Sequence, residues 1–479
     1  MRNLLAKQPN PDIIAITQND KDISYRELMT KSAIIGNQLC GKTIVALMLP
    51  NTWEYISAFW ACLYCGITVF PLNVQLTCHE VIPLLEYACI TTVITSKEYS
   101  HIFDNTSIEL ILLENLPKQV PKTSLHINSK DKNRTAVLLS TSGTSGNPKI
   151  VRLSENNIHT SVLGYIDKVK LDNKCKFFLS VPFCSSHGLM TLSACLSLCV
   201  PLVIQDGIFT LDSFFSAAQK YKITHYDGNA TPILLLDKIL GRKIPYNLDC
   251  LRFFGFGGSQ ISGDIIRRVS NAFPQWGFNQ GYGMTEAGPL IAKHPAVIPM
   301  LSEKADSSGT AINGVEIYIL AGDTITQAPG KKGEILVKGA NVMKGYLNND
   351  IETRLALKDG FLHTGDIGYL DEDGYLYVCG RKKSMIIVRG FKVCPEEVES
   401  CINASSLVSD CRVYSSFDRQ KNEAVWADVV LSSNNVSPSD IIDYCKKHLA
   451  PYKCPSKIIA CASIAKNVSG KTSRCEENL

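Results

Sequence analysis

Short runs of aliphatic and β-branched residues alternate with helix-like patterns from the N-terminus to about residue 380. Residues 53–65 carry apolar positions at helical spacing, and the runs on either side of them are typical of strands. This alternation predicts parallel sheets flanked by helices, in which ligands bind beyond the carboxyl ends of the strands. The predicted strands are residues 44–48, 67–71, 91–95, 136–140, 177–181 and 202–205.

The pattern changes after Gly309, where short strands separated by Gly, Asp and Asn turns indicate a smaller β-rich subdomain. Further on, helical patterns flank a predicted strand at residues 424–430. We therefore predict an α/β protein with a large N-terminal domain over residues 1–382, which combines parallel-rich sheets with the β-rich subdomain. A small, mobile α+β domain follows over residues 383–479. The remaining predicted elements are strands 315–320, 333–338 and 374–379 and helices 396–402 and 439–449.

Composition narrows the class of protein. The chain has 479 residues, enough for two or three domains, and its 45% hydrophobic and 20% charged residues are typical of a globular protein. A net charge of +4 gives no case for nucleic-acid binding. The N-terminus lacks the apolar core of a signal peptide, so we expect reduced thiols and a cytoplasmic location.

Two apolar stretches could suggest a membrane span, and one cysteine pair could suggest a metal or redox site. Residues 56–72 and 188–204 are shorter than the roughly 20 apolar residues that span a bilayer. We expect both to be buried elements, and no integral membrane segment. Cys62 and Cys65 lie inside an apolar run and are expected to be buried rather than metal-binding or redox-active.

A predicted strand at residues 136–140 leads into a loop of small hydroxyl and glycine residues that ends at Lys149. Glycines allow backbone N–H groups to approach a phosphate closely, and the hydroxyls and the lysine can bind its oxygens. The spacing differs from that of a Walker loop. Composition alone leaves a phosphate loop and a flexible linker equally open.

Three further segments have the chemistry of a nucleotide site. Residues 281–286, GYGMTE, offer an aromatic ring for a purine and a carboxylate for Mg²⁺. Residues 363–366, HTGD, together with Gly380 and Arg381, offer a carboxylate and a guanidinium for a ribose or phosphate. Residues 469–474, SGKTSR, place a lysine where it could stabilise charge developing on a phosphate. Each segment alone is more often an ordinary turn or a solvated loop.

Together, in this order and spacing, the four motifs resemble those of the superfamily of acyl- and aryl-CoA ligases, peptide-synthetase adenylation domains and firefly luciferase. The resemblance covers nearly the whole chain. It implies that Lys471, Thr144 and Glu286 are catalytic and that Glu286 also holds Mg²⁺. The implied ATP- and AMP-binding residues are Thr141, Ser142, Gly143, Thr144, Ser145, Gly146, Lys149, Gly257, Gly258, Ser259, Gly281, Tyr282, Gly283, Met284, Thr285, Asp366 and Arg381.

The resemblance also implies a two-step reaction in which ATP converts a carboxylic acid into an acyl-AMP and a thiol then takes the acyl group. Residues 380–399 are similar to the acyl- and aryl-CoA ligase branch, so the expected cofactors are ATP, Mg²⁺ and coenzyme A. In this superfamily the C-terminal domain rotates between the steps. The implied hinge is Lys383, and Gly390, Phe391 and Lys392 would line a tunnel for CoA.

The segment 182–188, PFCSSHG, departs from the common family form, which often has a histidine at the position of Ser185. His187 matches the histidine of malonyl- and oxalyl-type ligases, and it could polarise a small or polar acid or simply form a wall of the acyl pocket. The implied pocket residues are His187, Gly188, Phe256 and Gly288. The identity of the carboxylic acid stays open.

Three alternatives also stay open. The acyl acceptor could be a free-standing carrier protein instead of CoA. The chain could be a non-catalytic nucleotide-binding protein, although the joint presence of five functional side chains argues against this. A luciferase-like oxygenase is the third alternative. The five side chains are those of Lys149, Glu286, Asp366, Arg381 and Lys471.

Overall fold

The computed structural model describes residues 10–117, 131, 133–141, 149–205, 209–258, 261, 263–296, 302–381, 386–393, 395–417, 422–433 and 435–464. The chain divides into two compact units. The first comprises Met1–Val74, Cys89–Leu139 and Ile150–Gly380, and the second comprises Gln75–Ala88, Ser140–Lys149 and Arg381–Leu479. The α-helices of the described residues are α1 Tyr25–Asn37, α2 Trp53–Cys65, α3 Cys78–Tyr87, α4 Glu155–Val169, α5 Ser186–Ser197, α6 Leu211–Tyr221, α7 Thr231–Lys238, α8 Gly263–Ala272, α9 Asp350–Ala356, α10 Pro395–Ala404 and α11 Pro438–His448.

The strands are numbered in chain order. Those before residue 312 are β1 Ile14–Gln18, β2 Lys21–Ser24, β3 Ile44–Met48, β4 Thr68–Pro71, β5 Thr92–Thr95, β6 Glu109–Leu112, β7 Thr135–Thr141, β8 Lys149–Ser154, β9 Phe177–Leu179, β10 Leu202–Ile204, β11 His225–Asn229, β12 Phe253–Gly257, β13 Gly277–Gly283, β14 Leu290–Lys293 and β15 Thr310–Ala311. The others are β16 Val315–Ala321, β17 Thr324–Thr326, β18 Gly333–Gly339, β19 Gly345–Tyr346, β20 Leu357–Lys358, β21 Phe361–Leu370, β22 Leu376–Arg381, β23 Ile386–Val388, β24 Phe391–Val393, β25 Val408–Phe417, β26 Glu423–Leu431 and β27 Lys457–Ala460.

Two large sheets organise the first unit. One has nine strands in the order β15-β14-β13-β12-β11-β9-β10-β1-β2, and the other has seven in the order β19-β8-β7-β4-β3-β5-β6. The central pairs of both sheets are parallel. Antiparallel strands complete both edges of the nine-stranded sheet and the β19 edge of the seven-stranded one, whose other edge strand, β6, runs parallel to β5. Parallel strands need both faces covered, which explains why β3 and β4 are almost continuously apolar.

The nine-stranded sheet has chemically different faces at β11, β12 and β13. Phe254 and Phe256 of β12 point into an aromatic core that also contains Tyr226, Trp276 and Phe278. Residues 255 and 257 alternate with them and are glycines, so the other face of β12 carries no side chain beyond Phe253. This bare strip lies beside the site described below.

The predicted β-rich subdomain is confirmed. In this subdomain β18 lies between β16 and β21 and pairs antiparallel with both. β17 and β20 extend the sheet at its two ends, and β22 also pairs with β21. The inward residues of β16 and β18, such as Ile317 and Ile335, are fully or nearly fully buried, as expected for a sheet with one face on a core.

The second unit has its own apolar core. β25, β26 and β27 form a three-stranded sheet, and β23 and β24 form a hairpin. Buried residues of the sheet pack with Val398 of α10 and Ile441 of α11. Within this unit, Lys453 is buried and forms ion pairs with Glu80 (2.9 Å) and Glu397 (2.7 Å). Burial alone would lower the pKa of Lys453, but the two carboxylates more than offset that effect and raise it.

The α/β class is confirmed, and each helix and strand predicted from the sequence is present with ends shifted by at most a few residues. Cys62 and Cys65 are buried in α2, as expected. Within the described residues, no helix is both long and apolar enough to cross a membrane. The sequence pattern missed β11, β12 and β13, because glycine and polar residues interrupt them and are rare in strands.

Replacing Phe254 by Ala should destabilise the first unit by about 3–5 kcal/mol, because the fully buried ring leaves a cavity among tightly packed aromatics. Urea unfolding followed by tryptophan fluorescence measures the loss. Phe417→Ala is the matched control, since Phe417 is 65% exposed and its removal should change stability by less than about 0.5 kcal/mol. Equal losses in the two variants would contradict this account of the aromatic core.

Candidate active site

A hydrogen bond joins two of the four motifs. The Tyr282 hydroxyl of β13 donates to Oδ2 of Asp366 on β21 at 2.7 Å. Asp366 is only 3% exposed, and its backbone N–H donates to the Thr364 hydroxyl at 3.1 Å. An aromatic ring for a purine and a carboxylate for a ribose therefore lie side by side, although their strands belong to different sheets.

A tyrosine on β19, a strand that the sequence pattern did not predict, holds the carboxylate of Glu286. The Tyr346 hydroxyl of β19 donates to Oε1 of Glu286 at 2.9 Å, and the backbone N–H of Met343 donates to the Glu286 carbonyl at 2.8 Å. Glu286 is 7% exposed. Burial and the nearby carboxylate raise the pKa of Tyr346, so this hydroxyl remains a donor at neutral pH.

Gly288 shapes the turn after the GYGMTE motif. Its φ of +65° lies in the left-handed region, and a Cβ at this position would lie 2.7 Å from the Asn341 carbonyl oxygen. The Asn341 side chain also donates to the carbonyls of Ala287 and Leu290, at 3.0 and 2.9 Å. The structure thus gives Gly288 a backbone role, in addition to the predicted place in the acyl pocket.

The N-terminus of α5 places predicted residues of the acyl pocket next to the GYGMTE motif. The Ser185 hydroxyl caps the helix by accepting from the Gly188 N–H at 3.0 Å, and Gly188 is buried. The next residue, Ser186, lies with its hydroxyl 3.2 Å from that of Thr285. His187 follows directly, with its side chain 25% exposed.

Behind His187 lies a buried ion pair that the sequence analysis missed. Nε2 of His187 is 3.5 Å from Oδ1 of Asp227 on β11, and Oδ2 of Asp227 is 2.9 Å from Nζ of Lys293 on β14. The Asp227 side chain has no exposed surface and that of Lys293 has 3%. The contact with Lys293 is an ion pair, and the contact with His187 has the same character only when the imidazole is protonated. The available signal was a single acidic or basic residue in each of two short segments, Asp227 in HYDGN and Lys293 in LIAK.

Electrostatics keeps this aspartate charged. Burial alone would raise the pKa of Asp227, but Lys293 and His187 more than offset burial and lower it to about 2. The buried hydroxyl of Tyr165 on α4 also faces this carboxylate, and burial together with the charge of Asp227 raises the pKa of Tyr165 far above its ordinary value. The group facing His187 is therefore a carboxylate at neutral pH.

The bare strip on β12 and β13 makes room for the pair. Asp227 is in register with Gly255 on the neighbouring strand, and Lys293 is in register with Gly281. A Cβ at Gly255 would lie 2.6 Å from the carboxyl carbon of Asp227, whereas one at Gly281 would lie 3.4 Å from Cγ of Lys293. Only a glycine fits at residue 255 without displacing the carboxylate.

The other predicted residues of the first unit take the following places. Gly257 is in register with Gly281 at the ends of β12 and β13, and Gly258 follows with φ of +80°. Phe256 is fully buried, and its side chain belongs to the aromatic core on the face opposite Gly257. Gly283 ends β13, and Met284 precedes the short helical turn that carries Thr285.

Several predicted residues belong to the second unit. The Thr141 hydroxyl donates to the Lys149 carbonyl at 3.4 Å. Gly390, with φ of +86°, forms with Arg389 the two-residue turn between β23 and β24, and the ring of Phe391 stacks on Tyr452 with centroids 4.2 Å apart. Arg381 ends β22, and Lys392 pairs with Ile387 through the backbone. The predicted site residues that lie outside the described residues are Ser142, Gly143, Thr144, Ser145, Gly146, Ser259, Lys383 and Lys471.

The described residues fit a magnesium ion that is held mainly by a substrate. They contain no cluster of three or more His, Cys, Asp or Glu side chains that could form a complete metal site. Mg²⁺ commonly binds one or two carboxylates together with phosphate oxygens and water. The oriented carboxylate of Glu286 suits that coordination, and the Tyr282–Asp366 pair beside the motif suits a nucleoside.

Comparison with known proteins decides the family. Residues 5–347 match the AMP-binding enzyme family and residues 397–471 match the AMP-binding enzyme C-terminal domain. The chain belongs to the AMP-binding enzyme family. It is 28% identical to a 2-succinylbenzoate–CoA ligase of Bacillus subtilis over 98% of both chains, and 30% identical to an oxalate–CoA ligase of Arabidopsis thaliana over 90% of this chain and 87% of that protein.

Solved structures agree with this assignment. The o-succinylbenzoate CoA synthetase of Bacillus subtilis, bound to a product analogue, has a TM-score of 0.87 at 27% identity and covers 98% of this chain and 97% of its own. The same enzyme has been solved with ATP and magnesium, at a TM-score of 0.69. The prediction of an AMP-forming acyl- or aryl-CoA ligase that uses ATP, Mg²⁺ and CoA is confirmed. CoA is the acceptor in these relatives, which give the carrier-protein alternative no support.

Gly255→Ala should destabilise the protein by about 1–3 kcal/mol, because its Cβ would overlap the buried carboxylate of Asp227. Gly281→Ala is the matched control on the neighbouring strand, where the added Cβ meets only ordinary contacts and should cost far less. Thermal melting measures both. Equal melting temperatures for the two variants would contradict the close packing described for Gly255.

Proposed function

We propose that this site joins a carboxylic acid to CoA and that each of the four motifs has a separate role in the reaction. The observation that carries the proposal is the hydrogen bond from Tyr282 to Asp366, because it aligns a ring for adenine with a carboxylate for the ribose hydroxyls. Gly257, Gly258 and Ser259 form the opposite side of the adenine site, and Arg381 binds near the ribose. Bound in this way, AMP places its α-phosphate at Thr285.

The first step is the attack of a substrate carboxylate oxygen on the α-phosphorus of ATP. The bond from that phosphorus to the bridging oxygen breaks, and pyrophosphate leaves. Both reactants are anions, so the site must supply positive charge and oriented donors. Lys471 supplies positive charge at the substrate carboxylate and the α-phosphate. Thr141 to Gly146 and Lys149 bind the β- and γ-phosphates.

Glu286 would hold magnesium, which would supply positive charge against the polyphosphate. The Tyr346 hydroxyl contributes by holding Oε1 of Glu286 and so fixing the direction of the carboxylate. Thr285 is oriented in turn by its contact with Ser186. These residues position the nucleotide before any bond changes, which is how an enzyme reduces the entropic cost of reaction.

In the second step the CoA sulfur attacks the acyl carbon, and the bond to the AMP oxygen breaks. The thiol proton is lost to solvent, and AMP departs. Gly390, Phe391 and Lys392 line the CoA tunnel. We place the domain boundary between residues 382 and 383, with Lys383 as the hinge that exchanges Lys471 for the β23–β24 turn.

Pyrophosphate release tests this function. With ATP, Mg²⁺ and a panel of short, medium, long, aryl and dicarboxylic acids, at least one acid should release pyrophosphate, and added CoA should then yield its thioester. Lys471→Ala should slow pyrophosphate release by about a hundredfold or more, because a charge-stabilising group is lost. Binding of ATP without pyrophosphate release from any acid would instead favour a non-catalytic nucleotide-binding protein.

Lys383→Pro should leave pyrophosphate–ATP exchange largely intact and reduce thioester formation by at least about tenfold, because proline fixes φ at the hinge and hinders a conformational step. Lys383→Ala removes the same side chain without restricting the backbone and is the matched control. The two half-reactions are measured separately, by isotope exchange and by thioester formation. Equal loss of both in the proline variant would contradict the hinge.

A further inference from the structure

We propose that Asp227 and Lys293 determine which acids this enzyme accepts, by holding His187 and setting the charge at the acyl end of the site. The substrate class that fits is a carboxylic acid with a second anionic group. This inference rests on the proposed ligase function and adds the chemistry of the acid to it. Asp227 and Lys293 are positioning residues, since both are buried and His187 is the exposed member of the group.

Stability alone is a weak reason for this pair. Two charges with 0% and 3% side-chain exposure are costly to remove from water, and apolar residues of similar volume often stabilise a protein as well or better. The buried pair also restricts the neighbouring strand, because residue 255 must be a glycine for the Asp227 carboxylate to fit. A functional role for the charges of Asp227 and Lys293 therefore explains their presence better than a contribution to stability does.

The geometry gives the two carboxylate oxygens different partners. Oδ2 of Asp227 faces Lys293, and Oδ1 faces Nε2 of His187. A carboxylate facing one ring nitrogen favours a proton on that nitrogen, which leaves Nδ1 as the second polar atom of the ring. The distance of 3.5 Å is long for a hydrogen bond, as is common before a substrate binds.

Access to the pair runs through the histidine. Asp227 and Lys293 are sealed from solvent, whereas a quarter of the His187 side chain is exposed. Its neighbour Ser186 contacts Thr285, the residue assigned to the α-phosphate. We infer that an acid whose carboxylate reacts at that phosphate extends along the N-terminus of α5, where the partly exposed His187 side chain follows Ser186 directly.

Charge decides the kind of acid. Lys293 already neutralises Asp227, so a protonated His187 leaves one positive charge without a counter-ion in this group. A second anionic group on the acid would complete an alternating series of lysine, carboxylate, imidazolium and anion. If Lys293 were absent, Asp227 would neutralise the imidazolium, and the second anion would be buried without compensation.

Matched acids test the proposal on the wild-type enzyme. Pyrophosphate release is measured with butyrate against succinate, hexanoate against adipate and benzoate against phthalate. We expect at least one dicarboxylate to exceed its monocarboxylate partner in kcat/KM by about tenfold or more. Pyrophosphate release that favours the monocarboxylate, or neither acid, in all three pairs overturns this proposal and leaves the ligase function standing. No release with any acid overturns both.

The charge-neutral double variant Asp227→Asn with Lys293→Met tests the positioning role. It keeps the volume of both side chains, so the preference for the dicarboxylate should fall by about tenfold through a higher KM for that acid, with the KM for ATP unchanged. The matched control is Arg412→Met with Asp428→Asn, which removes a partly buried pair of the second unit and should retain the preference. Retention of the preference in the first variant overturns the proposal.

A spectroscopic measurement keeps the proposal testable even if the variant does not fold. Nitrogen NMR of wild-type protein, with the His187 signals assigned by comparison with His187→Gln, should show the proton on Nε2. Titration with the preferred dicarboxylate should then convert the ring to the doubly protonated form. A neutral ring with its proton on Nδ1, or no change on titration, overturns the proposal.

Discussion

The site depends on the absence of side chains beyond Phe253 on one face of β12 and at the end of β13. Gly255, Gly257 and Gly281 leave this strip bare, while the alternate residues of β12 fill an aromatic core on the opposite face. A strand normally gains stability from side chains on both faces, so this arrangement gives up packing in exchange for space. That space admits the buried carboxylate of Asp227 beside Gly255, and it leaves the backbone of Gly257 and Gly281 without side chains of its own.

The resulting site is held in place by hydrogen bonds between elements far apart in the chain. Tyr282 reaches Asp366 in another sheet, Tyr346 reaches Glu286 from a two-residue strand, and Ser186 reaches Thr285 from a helix N-terminus. Each contact orients a group that the proposed function assigns to phosphate, metal or sugar. Such second partners are what keep a site in its productive geometry before the substrate arrives.

The acyl end of the site differs in kind from the nucleotide end. The proposed nucleotide end combines backbone and hydroxyl groups with separate charged side chains, whereas the proposed acyl end joins a lysine, a carboxylate and an imidazole by direct contacts. The carboxylate stays ionised because the lysine offsets the cost of burial. A fold shared by ligases for different acids can thus change specificity through a few residues on strands, without altering the machinery that forms the adenylate.

The sequence by itself determined the α/β class, the β-rich subdomain and the four motifs, because periodicity and glycine-rich loops are local properties of the chain. It also located His187 as a candidate pocket residue. It could not indicate β11 to β13, whose glycines and polar residues contradict strand propensity and are tolerated only because neighbouring strands and the aromatic core stabilise them. Only the tertiary structure paired Asp227 with Lys293 and Glu286 with Tyr346. Those pairings join residues distant in sequence, and they depend on sheet register and on the space that a missing side chain leaves.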